Sequence, residues 1–191
     1  MIITEDWYPD EQLEQLSNAA ASAKALRGLF IEFGCWEGKS TVTIADIIYP
    51  ATLHAVDTWR GNINEDPKHV TVKTLKKRNV YATFRLNMQT DTKGNVEIHQ
   101  MDCFDYLRSV AGPVAFCHID ASHNYEDVHR TISMCLPHMA GGGVLCGDDY
   151  VSAHKGRKDL NGGVERAVAE LLPGHRVIGN FWRWRKDTQE E

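Results

Sequence analysis

Ile31-Glu32-Phe33-Gly34-Cys35-Trp36-Glu37-Gly38-Lys39-Ser40 runs from the end of an apolar segment, through a glycine-bearing turn, into the start of a helical pattern. Leu29–Phe33 reads as a strand, and Lys39–Ile48 has helical apolar spacing that Pro50 brings to a stop. Gly34 and Gly38 allow positive φ and close backbone approach where strand gives way to helix. The same order, an apolar run closed by a carboxylate, recurs outward from this stretch. Residues 53–56 lead to Asp57, 96–101 to Asp102, Val114–Ile119 to Asp120, and 143–147 to Asp148-Asp149. Were these runs parallel strands, their carboxylates would line one edge of a sheet, the edge at which open α/β sheets bind ligands. Such a rim prefers cations to phosphates.

The remaining segments fit that frame. Residues 9–27 form a first helix with Leu13, Leu16, Ala20 and Ala23 on one face. Short helices are expected over 104–109 and 124–138, the latter with Tyr125, Val128, Ile132, Cys135 and Leu136 facing inward. Gly141-Gly142-Gly143 reads as a turn before a short buried strand at 144–147. Val164, Ala167, Val168, Leu171 and Leu172 mark a further helix, and Gly179-Asn180 joins two closing strands into a hairpin. Residues 60–94 are the least readable part: polar, basic around residues 73–78, and helical in places. A lid or substrate-selecting insertion would fit there. Alternating strand and helix implies a parallel sheet covered on both faces, in one domain spanning 1–191.

The totals narrow the partners. A formal charge of −5 on 191 residues argues against a nucleic-acid binder, which needs a dominant basic surface. No apolar stretch approaches a membrane span, and the N-terminus lacks the order of a signal peptide. Cys35, Cys103, Cys117, Cys135 and Cys146 are odd in number, contain no C-x-x-C pair and mostly accompany apolar runs. A reducing, cytoplasmic setting is the plain expectation.

Asp57 follows Gly38 by nineteen residues and ends the next strand, where it can accept hydrogen bonds from two ribose hydroxyls. The spacing G-x-x-x-G differs from the G-x-G-x-x-G of dinucleotide enzymes, and a pyrophosphate would meet Glu32 and Glu37 at the turn. S-adenosylmethionine suits these residues better, being a net cation. Its ammonium can meet the acidic edge, and the amides of the helix start near Ser40 can receive its carboxylate. Asp120 and Asp148-Asp149 would end neighbouring strands only about 5 Å apart. Carboxylates that close repel unless a cation settles among them, and an all-oxygen set selects a hard ion such as Mg²⁺. The plainer alternative has Asp148 or Asp149 capping a loop and Asp120 only orienting substrate.

With Glu32–Ser40, Val56–Gly61, His118–Val128 and Gly142–Tyr150 in this order, the chain resembles the class I S-adenosylmethionine-dependent methyltransferases. The likeness is to their small, metal-dependent O-methyltransferase-like branch and covers most of residues 29–172. Ala121, where the family usually has Gly, and Arg130, where it usually has Asp, depart from the pattern. The resemblance implies a Rossmann-like fold with a seven-stranded, mostly parallel sheet in the order 3-2-1-4-5-7-6. It implies cofactor contacts at Glu32, Gly34, Gly38, Ser40 and Asp57, an adenine pocket at Asp102 and Cys103, and a metal held by Asp120, Asp148 and Asp149. Asp102 could equally cap the helix that follows it.

His123 falls at the offset from Asp120 where catechol-type relatives place a proton-accepting lysine, and imidazole is suited to that task. With Asp120 it forms the expected catalytic pair; a helix-start or metal-ligating role is the competing reading, and His154 is the reserve base. His118, inside a strand, reads as a buried hydrogen-bonding residue. Trp36, Trp59 and Tyr150 adjoin the rim motifs as cofactor walls or as core. Trp182 and Trp184 read as core, while Lys73, Lys76, Lys77 and Arg78 read as a solvated face or a seat for an anionic acceptor. The expected reaction is methyl transfer to a small-molecule or sugar (glycan) hydroxyl, and the resemblance admits a homodimer. The rivals are a nicotinamide-dependent oxidoreductase and a non-catalytic nucleoside-binding protein on the same sheet.

Overall fold

The structure, a computed structural model, describes residues 1–61, 70–150 and 162–188. One sheet organises them. Its strands are β1 (Leu29–Phe33), β2 (Leu53–Asp57), β3 (Val96–Gln100), β4 (Val114–Ile119), β5 (Met139–Gly147), β6 (Arg176–Ile178) and β7 (Phe181–Arg185). They lie in the order β3-β2-β1-β4-β5-β7-β6, as expected. β1 to β5 are parallel, and β7 runs antiparallel to β5 and β6.

Burial on both faces explains why β1 and β4 are almost continuously apolar. On one face lie α1 (Asp10–Ala23) and α2 (Lys39–Ile48), whose Leu16, Ala20, Ile44 and Ile48 meet Phe30, Leu53, Phe116 and Val144. On the other lie α5 (Cys103–Ser109), α6 (Tyr125–Cys135) and α7 (Gly163–Leu171), packed on Ile31, Phe33, Cys117 and Leu145. The 60–94 region contributes α3 (Val70–Lys77) and α4 (Val80–Asp91), with residues 62–69 outside the described chain. Phe84 and Met88 of α4 join Trp59, Cys35 and Ala55 in a third apolar cluster beside the glycine-bearing turn. Among the described residues, no helix is long and apolar enough to cross a membrane.

Three local expectations need correcting. The glycine run is not a turn but part of β5: a Cβ on Gly143 would lie 2.9 Å from the Val114 carbonyl, so glycine there admits a neighbouring strand. The first helix ends at Ala23 rather than near Arg27. The helix expected to reach residue 138 ends at Cys135, and a 3-10 turn over Leu136–His138 follows. Pro137 has no N–H with which to continue the α-helical ladder.

Candidate functional site

The strand order reverses between β1 and β4, and a crevice for ligands opens at such a point. The backbones are locked there. Asp120 N–H donates to Phe33 O (2.8 Å) and Gly34 N–H to Val56 O (3.0 Å). Gly34 has φ +83°, and a Cβ on it would sit 1.9 Å from the Asp120 carbonyl oxygen. This glycine therefore fits the turn to the chain's own crossing backbone as well as to any ligand. Gly38, at φ +92°, begins α2; a Cβ there would strike Met88 of α4 at 2.5 Å.

Beyond that crossing, β4 and β5 pair through Ile119 and Gly147, so Asp120 and Asp148 end adjacent strands. Burial, reinforced by the charges of Asp148 and Asp149, pushes the Asp120 carboxyl up to about 7. Burial and the Asp149 charge push Asp148 up to about 6, while its Oδ1 accepts a hydrogen bond from Gln12 Nε2 at 2.9 Å. Asp149 is held at φ +61°, and its Oδ2 lies 2.8 Å from His123 Nε2. Asp120, His123 and Asp149 each offer a ligand atom within 4.8 Å of the others. At the rim, the donor group with metal-binding reach is thus Asp120, Asp149 and His123. Asp148, expected among the ligands, stands beside it and faces Gln12. His154 lies outside the described residues.

The cofactor-side residues divide. Asp57 ends β2 with Oδ2 accepting from the amides of Cys35 (2.8 Å) and Trp36 (3.1 Å) and Oδ1 from that of Trp59 (2.7 Å). Burial raises its proton affinity, and those three amides work against the rise. Asp57 thus fastens the turn after β1 to the end of β2, with its carboxylate at the rim. Asp102 does cap α5, accepting from Phe104 N–H at 2.8 Å, and is partly exposed beside Cys103. Ser40 is buried in the first turn of α2.

Glu32 lies under the rim, fully buried, with Thr41 Oγ1 donating to Oε2 and His118 Nδ1 3.1 Å from Oε1. Tyr8 Oη contacts the other ring nitrogen of His118 at 3.2 Å. Burial alone would lower the His118 pKa, but Glu32, with Asp120 and Asp148 behind it, raises it. Glu37 is also sequestered, accepting from Thr4 N–H (2.7 Å), Thr4 Oγ1 (2.8 Å) and the Arg78 guanidinium. Neither glutamate presents an unpartnered charge to the turn, so repulsion of a pyrophosphate by Glu32 and Glu37 carries little weight. Arg78, expected on a solvated face, is an internal counter-ion whose second branch reaches Glu5.

The aromatic residues resolve case by case. Trp59 is core, packed 4.7 Å from the rings of Tyr81 and Phe84, and its Nε1 donates to Trp36 O. Trp36 is partly exposed at φ +48°, with the exposed Trp7 ring 5.1 Å away. Tyr150 Oη contacts His175 Nε2 at 2.9 Å. Trp182 is fully buried and supports the rim by donating from Nε1 to the Asp148 carbonyl.

Residues 31–150 match the profile of a family described as a methyltransferase domain. The chain belongs to that family. No curated protein sequence matches it significantly. Solved structures do, at low identity. The O-methyltransferase NovP superposes with a TM-score of 0.67 at 18% identity, over 93% of this chain and 80% of that one. An O-methyltransferase from Bacillus cereus in complex with SAH gives 0.68 at 17% identity, over 96% and 84%. CalS11, a TDP-rhamnose 3'-O-methyltransferase of calicheamicin biosynthesis, gives 0.60 at 16% identity, over 93% and 81%. At such identities the likeness is one of fold.

Sequence reasoning missed the N-terminal segment. Tyr8 and Gln12 reach the strand ends of the rim through His118 and Asp148, and Thr4 and Glu5 reach the turn through Glu37 and Arg78. One local signal existed: Gln12 interrupts the buried face of α1.

Proposed function

We propose that the protein is an S-adenosylmethionine-dependent O-methyltransferase acting, with a divalent cation such as Mg²⁺, on a hydroxyl of a small molecule or sugar in the cytoplasm. The observation that carries this reading is the meeting of Asp120, His123 and Asp149 at the strand-order reversal of a methyltransferase-family chain. The likeness to NovP and CalS11, both O-methyltransferases, supports an oxygen acceptor, and CalS11 a sugar one. When bound, the cofactor supplies an activated methyl group on a sulfonium, and the cation supplies positive charge beside the acceptor oxygen.

The chain does the rest. Asp57 holds the turn closed and meets the ribose, the first amides of α2 meet the methionine carboxylate, and Asp102 with Cys103 borders the adenine. Asp120 and Asp149 hold the cation, a role fitted by an Asp120 carboxyl that burial and the charges of Asp148 and Asp149 leave short of positive charge. Asp148 contributes its charge from behind them. His123, oriented by Asp149 at 2.8 Å, receives the hydroxyl proton as the oxygen–carbon bond forms and the carbon–sulfur bond breaks.

A direct test supplies labelled S-adenosylmethionine and a panel of phenolic, aliphatic and sugar hydroxyls, with Mg²⁺ or with a chelator. Metal-dependent label on oxygen in at least one acceptor is expected. Label found only on nitrogen or carbon would overturn the oxygen assignment, and chelator-insensitive transfer would remove the metal.

A further inference from the structure

The described residues hold a second group of metal-type ligands, on the opposite flank of β1 from the acidic rim. β2 and β3 pair with His54 opposite Glu97 and Val56 opposite His99. Side-chain alternation sends His54, Glu97 and His99 to the same face. That face is the one covered by α5, whose Tyr106 ring lies 4.8 Å from the His99 ring and 6.1 Å from that of His54. No step of the methyl transfer uses these residues.

Their spacing is that of a chelate. His54 Nδ1 is 3.0 Å from His99 Nε2, His99 Nε2 is 3.4 Å from Glu97 Oε1, and His54 Nδ1 is 3.8 Å from Glu97 Oε2. Bonds of about 2.0–2.1 Å to a tetrahedral ion put neighbouring ligand atoms about 3.3–3.4 Å apart. Each of these separations is within about half an ångström of that value, with His99 nearer one carboxylate oxygen of Glu97 and His54 nearer the other, and one ligand atom from each residue lies within 4.8 Å of the others. Burial lowers the proton affinity of His54, favouring the neutral imidazole that a metal requires. Two imidazoles and a carboxylate suit zinc-like borderline ions and not Mg²⁺, which prefers oxygen and water. The Glu97 side chain is 57% exposed, so an ion has access and water can take the fourth position.

We propose that His54, Glu97 and His99 form a binding site for a divalent transition-metal ion of the zinc type at the β2–β3 edge of the sheet, distinct from the rim site. Without the ion, the two imidazoles share one N–H···N hydrogen bond, and on binding the donor ring takes its other tautomer, with the proton moved to its second nitrogen, so that both facing nitrogens present lone pairs. With it, the edge strand β3 is fastened to β2 through side chains as well as backbone, and the folded state gains by mass action.

The test must exclude the rim cluster, which also contains a histidine. Calorimetric titration of Zn²⁺ into the full chain carrying Asp120→Asn and Asp149→Asn should show one saturable site, and Mg²⁺ should show none. Adding His99→Gln, or separately Glu97→Gln at its exposed position, should weaken Zn²⁺ by at least about a hundredfold, since even losing a residue behind the ligands can cost up to that. Saturating Zn²⁺ should raise Tm in the parent and not in either added variant. Absence of Zn²⁺ binding to the rim-disabled parent would overturn the proposal, and so would affinity unchanged by Glu97→Gln.

Discussion

Two acid-bearing parts of this molecule look alike in sequence and differ in what faces them. Near the end of β1, Glu32 is enclosed by Thr41 and His118, and in the turn that follows, Glu37 is enclosed by Thr4 and Arg78. At the ends of β4 and β5, Asp120 and Asp148 are crowded by each other and by Asp149, and burial pushes both carboxyls upward. The first pair builds the turn. The second group stores electrostatic cost that a cation can relieve. Carboxylates in similar sequence contexts thus differ in how far the chain itself offsets them: Glu37 meets a guanidinium, whereas burial and the neighbouring acids outweigh the histidines around Asp120 and Asp148.

That contrast can be broken at several points. The largest effect is expected on turnover at the rim: His123→Ala should lower kcat about 10²- to 10⁴-fold, measured as initial rate at saturating cofactor. A loss below tenfold would deny His123 the proton. On the turn side, Arg78→Met leaves Glu37, with its side chain 1% exposed, without its cation and should cost about 3 kcal/mol in urea unfolding. A negligible loss would mean that the Glu37 cluster is held by its neutral partners.

The next effect is a pH dependence confined to the rim. Asp120 and Asp148 hold protons more tightly folded than unfolded, where an aspartate titrates near 3.9. Their contribution to stability is complete below about pH 4 and is lost as pH rises through about 6 and 7. Chelator-treated protein should therefore lose part of its stability over that window. Asp120→Asn should raise its Tm at pH 8 by about 2–4 °C for each kcal/mol of repulsion removed. Mg²⁺ should raise the wild-type Tm more at pH 8 than at pH 5. The smallest expected effect is at Asp102→Ala, which removes the α5 cap and should cost about 1 kcal/mol.

The fold was largely legible because its signals are local. Apolar runs such as Val114–Ile119 ended where a carboxylate began, and Gly179-Asn180 marked a hairpin. The glycine run in β5 misled because glycine's tolerance of close backbone approach leaves the same trace as its tolerance of turn angles. Site residues were legible as positions but not as partnerships. Nothing near Glu37 in sequence announces Arg78, and nothing near Asp148 announces Gln12, because both contacts join elements far apart in the chain. The alternation of Glu97 and His99 opposite His54 was visible in principle, but only once β2 and β3 were paired in register.

Everything in the functional reading depends on a nucleoside sulfonium site between the β1 turn and the rim. Calorimetric titration of S-adenosylhomocysteine into the wild-type chain and into Asp57→Ala measures it most directly. Saturable one-to-one binding by the wild type, sharply weakened in the variant, is the expected result. No heat of binding to the wild type, with Mg²⁺ or without it, would contradict the account.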